Sequence, residues 1–171
     1  MSISLQHKRA TADATVLTDR GEFSALAATY SLDRVGDRIV KGAFARTIEA
    51  WQRSGNQLPL HWQHSSKAED IIGTVDPQSL RETDEGLLVE GKLHLEDSAV
   101  AREVWRSVKA DSIGVSFGYL TVKERKASDA NELLEIDLYE ISLTPSPANP
   151  DARVLSAKSL APLRVARFSV E

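Results

Sequence analysis

The chain has 171 residues, 21 Lys and Arg against 25 Asp and Glu, a formal charge of −4, and 42% hydrophobic against 27% charged residues. That is the composition of one ordinary globular domain, long enough to bury about two thirds of its unfolded surface without a structural metal. Cysteine is absent, which excludes disulfides, thiolate zinc sites, iron–sulfur clusters and cysteine nucleophiles, so covalent chemistry would fall to Ser, Thr, Lys or a carboxylate.

Residues 1–21 hold no apolar run of signal-peptide length, and no stretch approaches the roughly 20 apolar residues of a membrane span. The expectation is a cytoplasmic protein with no membrane partner. Basic residues are scattered rather than gathered in a stripe with interleaved aromatics, which points away from nucleic acid.

Taken in chain order, residues 22–31 alternate with period two and predict a strand, followed by the turn-rich Asp33-Arg34-Val35-Gly36-Asp37. Across 41–54, Phe44, Ile48 and Trp51 recur at spacings of four and three, and Gly55 stands where a helix would end. Leu58-Pro59-Leu60-His61-Trp62-Gln63-His64 is an apolar approach to a polar turn. Alternation returns over 70–75 and, after Asp84-Glu85-Gly86, over 87–95. A second helix is predicted over 97–109, capped by Asp97 or Ser98, with Val100, Val104 and Val108 aligned and Trp105 beside them. Residues 113–122 and 133–144 read as strands separated by a polar turn piece, 123–131; after Pro145-Ser146-Pro147-Ala148-Asn149-Pro150 the pattern dissolves into a mildly basic tail. The connections suit hairpins and helical crossovers rather than a doubly wound sheet. The expectation is an α+β fold, a mixed, largely antiparallel β-barrel or sandwich with flanking helices.

In Ile113-Gly114-Val115-Ser116-Phe117-Gly118-Tyr119, period two sends Ser116 to the face of the two glycines and away from the apolar residues. Its hydroxyl would then lie in a trough open to a substrate backbone, or the glycines mark a bulge or a close crossing. The Gly-x-Ser-x-Gly pattern is not a hydrolase nucleophile elbow, because a strand continues after the serine and the last histidine, His94, precedes it. A serine nucleophile needs a nearby base, usually histidine. Of the four histidines, His7 lies in a weakly patterned stretch and His94 on a solvated face, which leaves His61 and His64. If their segment is extended, only one of the two can reach a given serine. A metal reading would join both, with Glu69 or Asp70 as a third ligand. Glu140 interrupts the otherwise apolar row Leu134, Ile136, Leu138, so it requires a partner. That partner is either an arginine in a structural ion pair or a histidine that the carboxylate orients. Asp137 falls on the solvated face.

Three separated motifs come together in one order: Trp62-Gln63-His64 followed by Ile71-Ile72-Gly73, then Gly114 to Tyr119, then Tyr139-Glu140-Ile141-Ser142-Leu143-Thr144 with Pro147-Ala148-Asn149-Pro150. This combination resembles the prohead (procapsid maturation) proteases of tailed phages. Tyr30-Ser31-Leu32-Asp33, Gly36-Asp37 and Gly42-Ala43-Phe44 are similar to the family's amino-terminal part. The resemblance implies a serine protease of herpesvirus-protease-like (assemblin-like) fold, with His64 as general base, Ser116 as nucleophile and Glu140 as acidic third member. His61 is the fallback base, and Ser65 replaces the acid of the His-Asp pair that often opens the first motif. It further implies no cofactor, a scaffold protein or the scaffold-like segment of the major capsid protein as substrate, self-cleavage, a homodimer, and a place in the host cytoplasm inside the procapsid of a phage, prophage or gene-transfer particle. The chain then divides into an amino-terminal segment (1–21), a protease domain (22–154) and a tail (155–171) that is self-cleaved or capsid-targeting. The rival readings are a catalytically inactive capsid-assembly or scaffold module and a His61/His64 metal-dependent hydrolase.

Overall fold

The computed structural model describes residues 20–156. In chain order these form β1 (Glu22–Thr29), β2 (Asp37–Ile39), α1 (Ala45–Ser54), β3 (Leu58–Trp62), β4 (Ile71–Val75), β5 (Arg81–Glu82), β6 (Gly86–Leu93), α2 (Ala99–Lys109), β7 (Gly114–Lys126), β8 (Asn131–Thr144) and β9 (Arg153–Ser156). Strands pair in the cyclic order β1-β9-β7-β8-β3-β4-β6, and β6 returns to β1, so the sheet closes as a seven-stranded barrel rather than a sandwich. β2 and β3 run parallel to β8, and the other pairings are antiparallel. Closure removes the free edges of an open sheet.

Both helices form where their apolar spacing predicts, slightly later than expected. Ser98 caps α2, its Oγ accepting from the Ala101 N–H at 3.0 Å, and Ala101, Val104, Trp105 and Val108 are buried, while Val100 is only half-buried. α1 begins after a turn at residues 41–44 and ends at Gly55, whose φ of 71° is the left-handed conformation that favours glycine at this position.

The longest strand, β8, shows how the barrel and α1 are joined. One edge pairs with β7 along its length. The other is satisfied in succession by β2 at residues 131–133, by Ala43 O accepting from Ile136 N–H (3.2 Å), by Thr47 Oγ1 accepting from Leu138 N–H (3.0 Å), by Trp51 Nε1–H donating to Leu138 O (2.7 Å), and by β3 at residues 141–143. α1 therefore substitutes for a strand where no strand is present, meeting the requirement that buried backbone groups be paired.

Three expectations change. The polar piece 123–131 is mostly strand: β7 runs to Lys126, β8 starts at Asn131, and only four residues turn between them. Exposed on its outer part, this ribbon is held by cross-strand ion pairs, Lys123 to Glu135 at 2.9 Å and Arg125 to Glu132, rather than by apolar alternation. The pattern also does not end after Pro150, because β9 pairs with β1 and β7 and completes the ring. Finally, β2 and β5 escaped the periodicity reading because three- and two-residue strands show no period. Most of the 1–21 segment and most of the 155–171 tail lie outside the described residues.

Thr47 is buried and supplies the acceptor for Leu138 N–H. Thr47→Val keeps the branched shape but strands that amide, and should lower the unfolding free energy by about 1–3 kcal/mol. A lower urea midpoint with an unchanged slope is the expected reading, and an unchanged midpoint would refute it.

Candidate active site

Three neighbouring strands deliver the site. β8 lies between β7 and β3; Ser116 is on β7, Glu140 on β8, and His64 two residues beyond the end of β3. In the β7–β8 ladder Ser116 stands opposite Ser142, and Gly118 opposite Glu140. After Trp62 the chain turns: Gln63 and His64 have φ of 52° and 59°, and Ser65 N–H closes the turn on Trp62 O at 3.1 Å. Left-handed conformations at non-glycine residues cost roughly 1–2 kcal/mol each. Here they swing the imidazole from the strand end over β8.

The result is a hydrogen-bonded chain. His64 Nε2 lies 3.0 Å from Ser116 Oγ, and His64 Nδ1 lies 2.5 Å from Glu140 Oε1. With Nδ1 protonated and facing a carboxylate, Nε2 presents its lone pair to the serine hydroxyl. Glu140 is 2% exposed and Ser116 8%, whereas 44% of the His64 side-chain surface reaches solvent. The second oxygen of Glu140 accepts from Ser142 Oγ at 2.8 Å, and Ser142 Oγ accepts in turn from the His64 backbone N–H at 3.0 Å. Chemically, such a chain can draw the hydroxyl proton from Ser116 to His64 and hold the resulting imidazolium against Glu140.

Beside Ser116 and His64 opens a cavity of about 210 Å³. β9 meets β7 only at Gly114 and β1 only as far as Leu26; past those points the flanks of the two strands, with Ala27 and Thr29 on one side and Val115, Phe117 and Tyr119 on the other, line the opening. Its remaining wall includes Asn149, whose side chain donates to Thr29 Oγ1 at 2.7 Å and ties the preceding loop to β1.

A family model described as Caudovirus prohead serine protease matches residues 12–164. The chain belongs to that family. No curated protein matches it. Among solved structures, KSHV protease, in a crystal structure with a hexapeptide phosphonate inhibitor, is similar at a TM-score of 0.44 and 10% identity, over 75% of this chain and 60% of that one. Varicella-zoster virus protease is similar at a TM-score of 0.35 and 12% identity, over 71% and 63%. The chain thus spans less than two thirds of either neighbour.

Of the residues the prohead protease resemblance singles out, the fold brings His64, Ser116 and Glu140 into one hydrogen-bonded chain, while His61 stays on β3 opposite Ser142 and Ile71 with no hydrogen bond to Ser116 or Glu140. The partner of Glu140 is an imidazole and a hydroxyl, not an arginine. Asp137 is on the solvated side, paired with Arg46 at 2.5 Å. The metal constellation does not assemble: both ring nitrogens of His64 are engaged, Asp70 accepts from Ser65 Oγ at 2.5 Å, and among the described residues no group of three His, Asp or Glu is placed to hold a metal ion. The glycines also differ from the open trough. A Cβ at Gly118 would stand 2.5 Å from Glu140 Oε1, and one at Gly114 2.7 Å from Pro147 Cγ, so both are required by the protein's own packing, with a bulge directly after Gly118. Period two along β8 puts Ser142 on the Glu140 face, but its two contacts depend on pairings across three strands.

The hydrogen bond to Glu140 holds the His64 imidazole above its ordinary value; partial burial pulls the other way, and the charge of Glu140 adds to the rise. Because the folded value is raised, the bond's contribution to stability is complete below about pH 6.5 and is lost as pH climbs through the folded value. In an NMR titration the His64 ring should titrate above its ordinary value, and Glu140→Gln should bring it down. A ring that titrates identically in both proteins would contradict the pairing.

Proposed function

We propose that the chain is a serine endopeptidase of procapsid maturation in which Ser116 is the nucleophile, His64 the general base and then general acid, and Glu140 the group that orients and stabilises the imidazolium. The observation that carries this reading is the continuous line from Ser116 Oγ through both nitrogens of one imidazole to a buried carboxylate, at 3.0 and 2.5 Å. Membership of the prohead serine protease family supports it.

In the proposed reaction Ser116 Oγ attacks the scissile carbonyl carbon while its proton passes to His64 Nε2. The imidazolium, held by Glu140, returns that proton to the leaving amine, and water, deprotonated by the same imidazole, hydrolyses the acyl-enzyme. The adjoining cavity has the size to seat one peptide side chain next to the attacked carbonyl. The substrate is a scaffold protein or the scaffold-like segment of the major capsid protein, cut inside the procapsid. The enzyme works as a homodimer and removes its own tail at a point beyond β9, so that the strand closing the barrel is kept.

Ser116→Ala or His64→Ala should lower peptide-bond cleavage by roughly four to six orders of magnitude with the fold kept, as removal of a triad member does. Co-expression with the neighbouring capsid protein tests this directly: wild type should shorten the capsid protein and Ser116→Ala should not, and equal shortening would overturn the assignment. Intact-mass measurement of the two forms tests self-cleavage, which identical carboxyl termini would rule out.

A further inference from the structure

The Ser142 hydroxyl has one proton to give and two lone pairs. An ionised carboxylate only accepts, so that proton points at Glu140 Oε2, 2.8 Å away, and the oxygen is left to accept the His64 backbone N–H at 3.0 Å. A single buried group therefore touches both members of the acid–base pair, one by its side chain and the other by its backbone. Ser142 is fully buried between Ile141 and Leu143, both also fully buried. An apolar residue would serve packing at such a position, and a hydroxyl there is tolerated only because both of its bonds are made.

We propose that Ser142 is a positioning residue that locks Glu140 and the His64 turn into one rigid unit, so that the imidazole is held at Ser116 before substrate arrives. This rests on the triad reading above. Two soft coordinates need such a lock. The terminal torsion of a glutamate is broad; with only Oε1 engaged the carboxylate could rotate, whereas bonds to both oxygens stop it. The turn at 63–64 is left-handed at two successive non-glycine residues. Three amides hold it: Gln63 N–H on Leu143 O at 3.0 Å, Ser65 N–H on Trp62 O at 3.1 Å, and between them His64 N–H on Ser142 Oγ. Only the last uses a side chain, and it acts at the residue that carries the imidazole. Ser142 also stands opposite Ser116 in the ladder, so the lock and the nucleophile share one register position. No hydrogen bond joins the two hydroxyls; Ser142 acts through His64 and Glu140.

The test uses the full chain and a serine-directed aryl phosphonate as probe, with labelling at Ser116 followed by mass spectrometry and the His64 ring by NMR. Ser142→Ala should slow phosphonylation about 100-fold, as expected for misplacement of a catalytic group by about an ångström. It should also drop the His64 titration toward its ordinary value as the ring leaves Glu140. Ser142→Thr, which keeps the hydroxyl, should recover both. If Ser142→Ala labels at the wild-type rate with an unchanged His64 titration, the proposal is overturned, even if its melting temperature falls, because that is the signature of packing alone. Should Ser142→Ala fail to fold, Ser142→Cys, close in size and a weak donor, is expected to move both readouts in the same direction, and no movement overturns the proposal. If wild type is not labelled at Ser116, the triad reading is what fails, and the His64 titration in the variants still decides whether Ser142 positions the ring.

Discussion

Glu140 is an acid at the start of a stretch of β8, residues 140–144, that is buried on both faces, and the rest of the site follows from what is done about that. An isolated carboxylate in such surroundings costs several kcal/mol unless donors surround it. β8 cannot supply them from its own backbone, because its amides are committed to β7 on one edge and to β2, α1 and β3 on the other. Donors must therefore be side chains brought by the neighbours. One is Ser142, two residues along the same strand. The other is the imidazole delivered from the end of β3, and because that ring has a second nitrogen, satisfying the carboxylate also creates a base aimed at β7, where Ser116 stands. Burial of one acid on the middle strand of three thus fixes where the base points.

The turn at Gln63 and His64 shows the size of the competing terms. Two left-handed residues cost roughly 2–4 kcal/mol together. Against this stand three hydrogen bonds donated by backbone amides, of order 1 kcal/mol each, and a charge-assisted bond to a buried acid, of order 1.5–3 kcal/mol. Together these exceed the cost, and with the bonds to both Glu140 and Ser142 gone only about 2 kcal/mol would stand against it. Strain of this kind persists where surrounding contacts over-determine it, and such sites are concentrated at functional centres.

How much of this was legible in the chain depends on whether a feature is local. Gly55 and Ser98 mark helix ends by their own chemistry, and period two along 133–144 was enough to show an acid in an apolar row. Parity likewise separated Ser116 from Val115 and Phe117. Parity could not choose between His61 and His64, because it applies to extended chain and His64 lies in a turn built from residues that rarely adopt its φ. Nor could it register Ser142 against Ser116, since the β7–β8 ladder shifts at Gly118/Tyr119 and again near Lys123. The short strands β2 and β9 exist only because distant partners are present, and the outer ribbon is polar because charge pairing, not burial, holds it.

The same dependence on distant partners explains why the barrel is open beside Ser116. A longer β9 would continue pairing with β1 past Leu26 and with β7 past Gly114, and its backbone would fill the space that Ala27, Thr29, Val115, Phe117 and Tyr119 now line. Pro147 and Pro150 work against such an extension: neither has an amide proton to give to a ladder, and each restricts the residue before it. Asn149 then holds this non-pairing segment to Thr29 by a side-chain bond in place of a backbone one. The Pro-Ala-Asn-Pro stretch is thereby part of the site without touching Ser116: it stops the β9–β7 pairing at Gly114, two residues before the serine, and leaves beside the hydroxyl a gap of the size of one side chain.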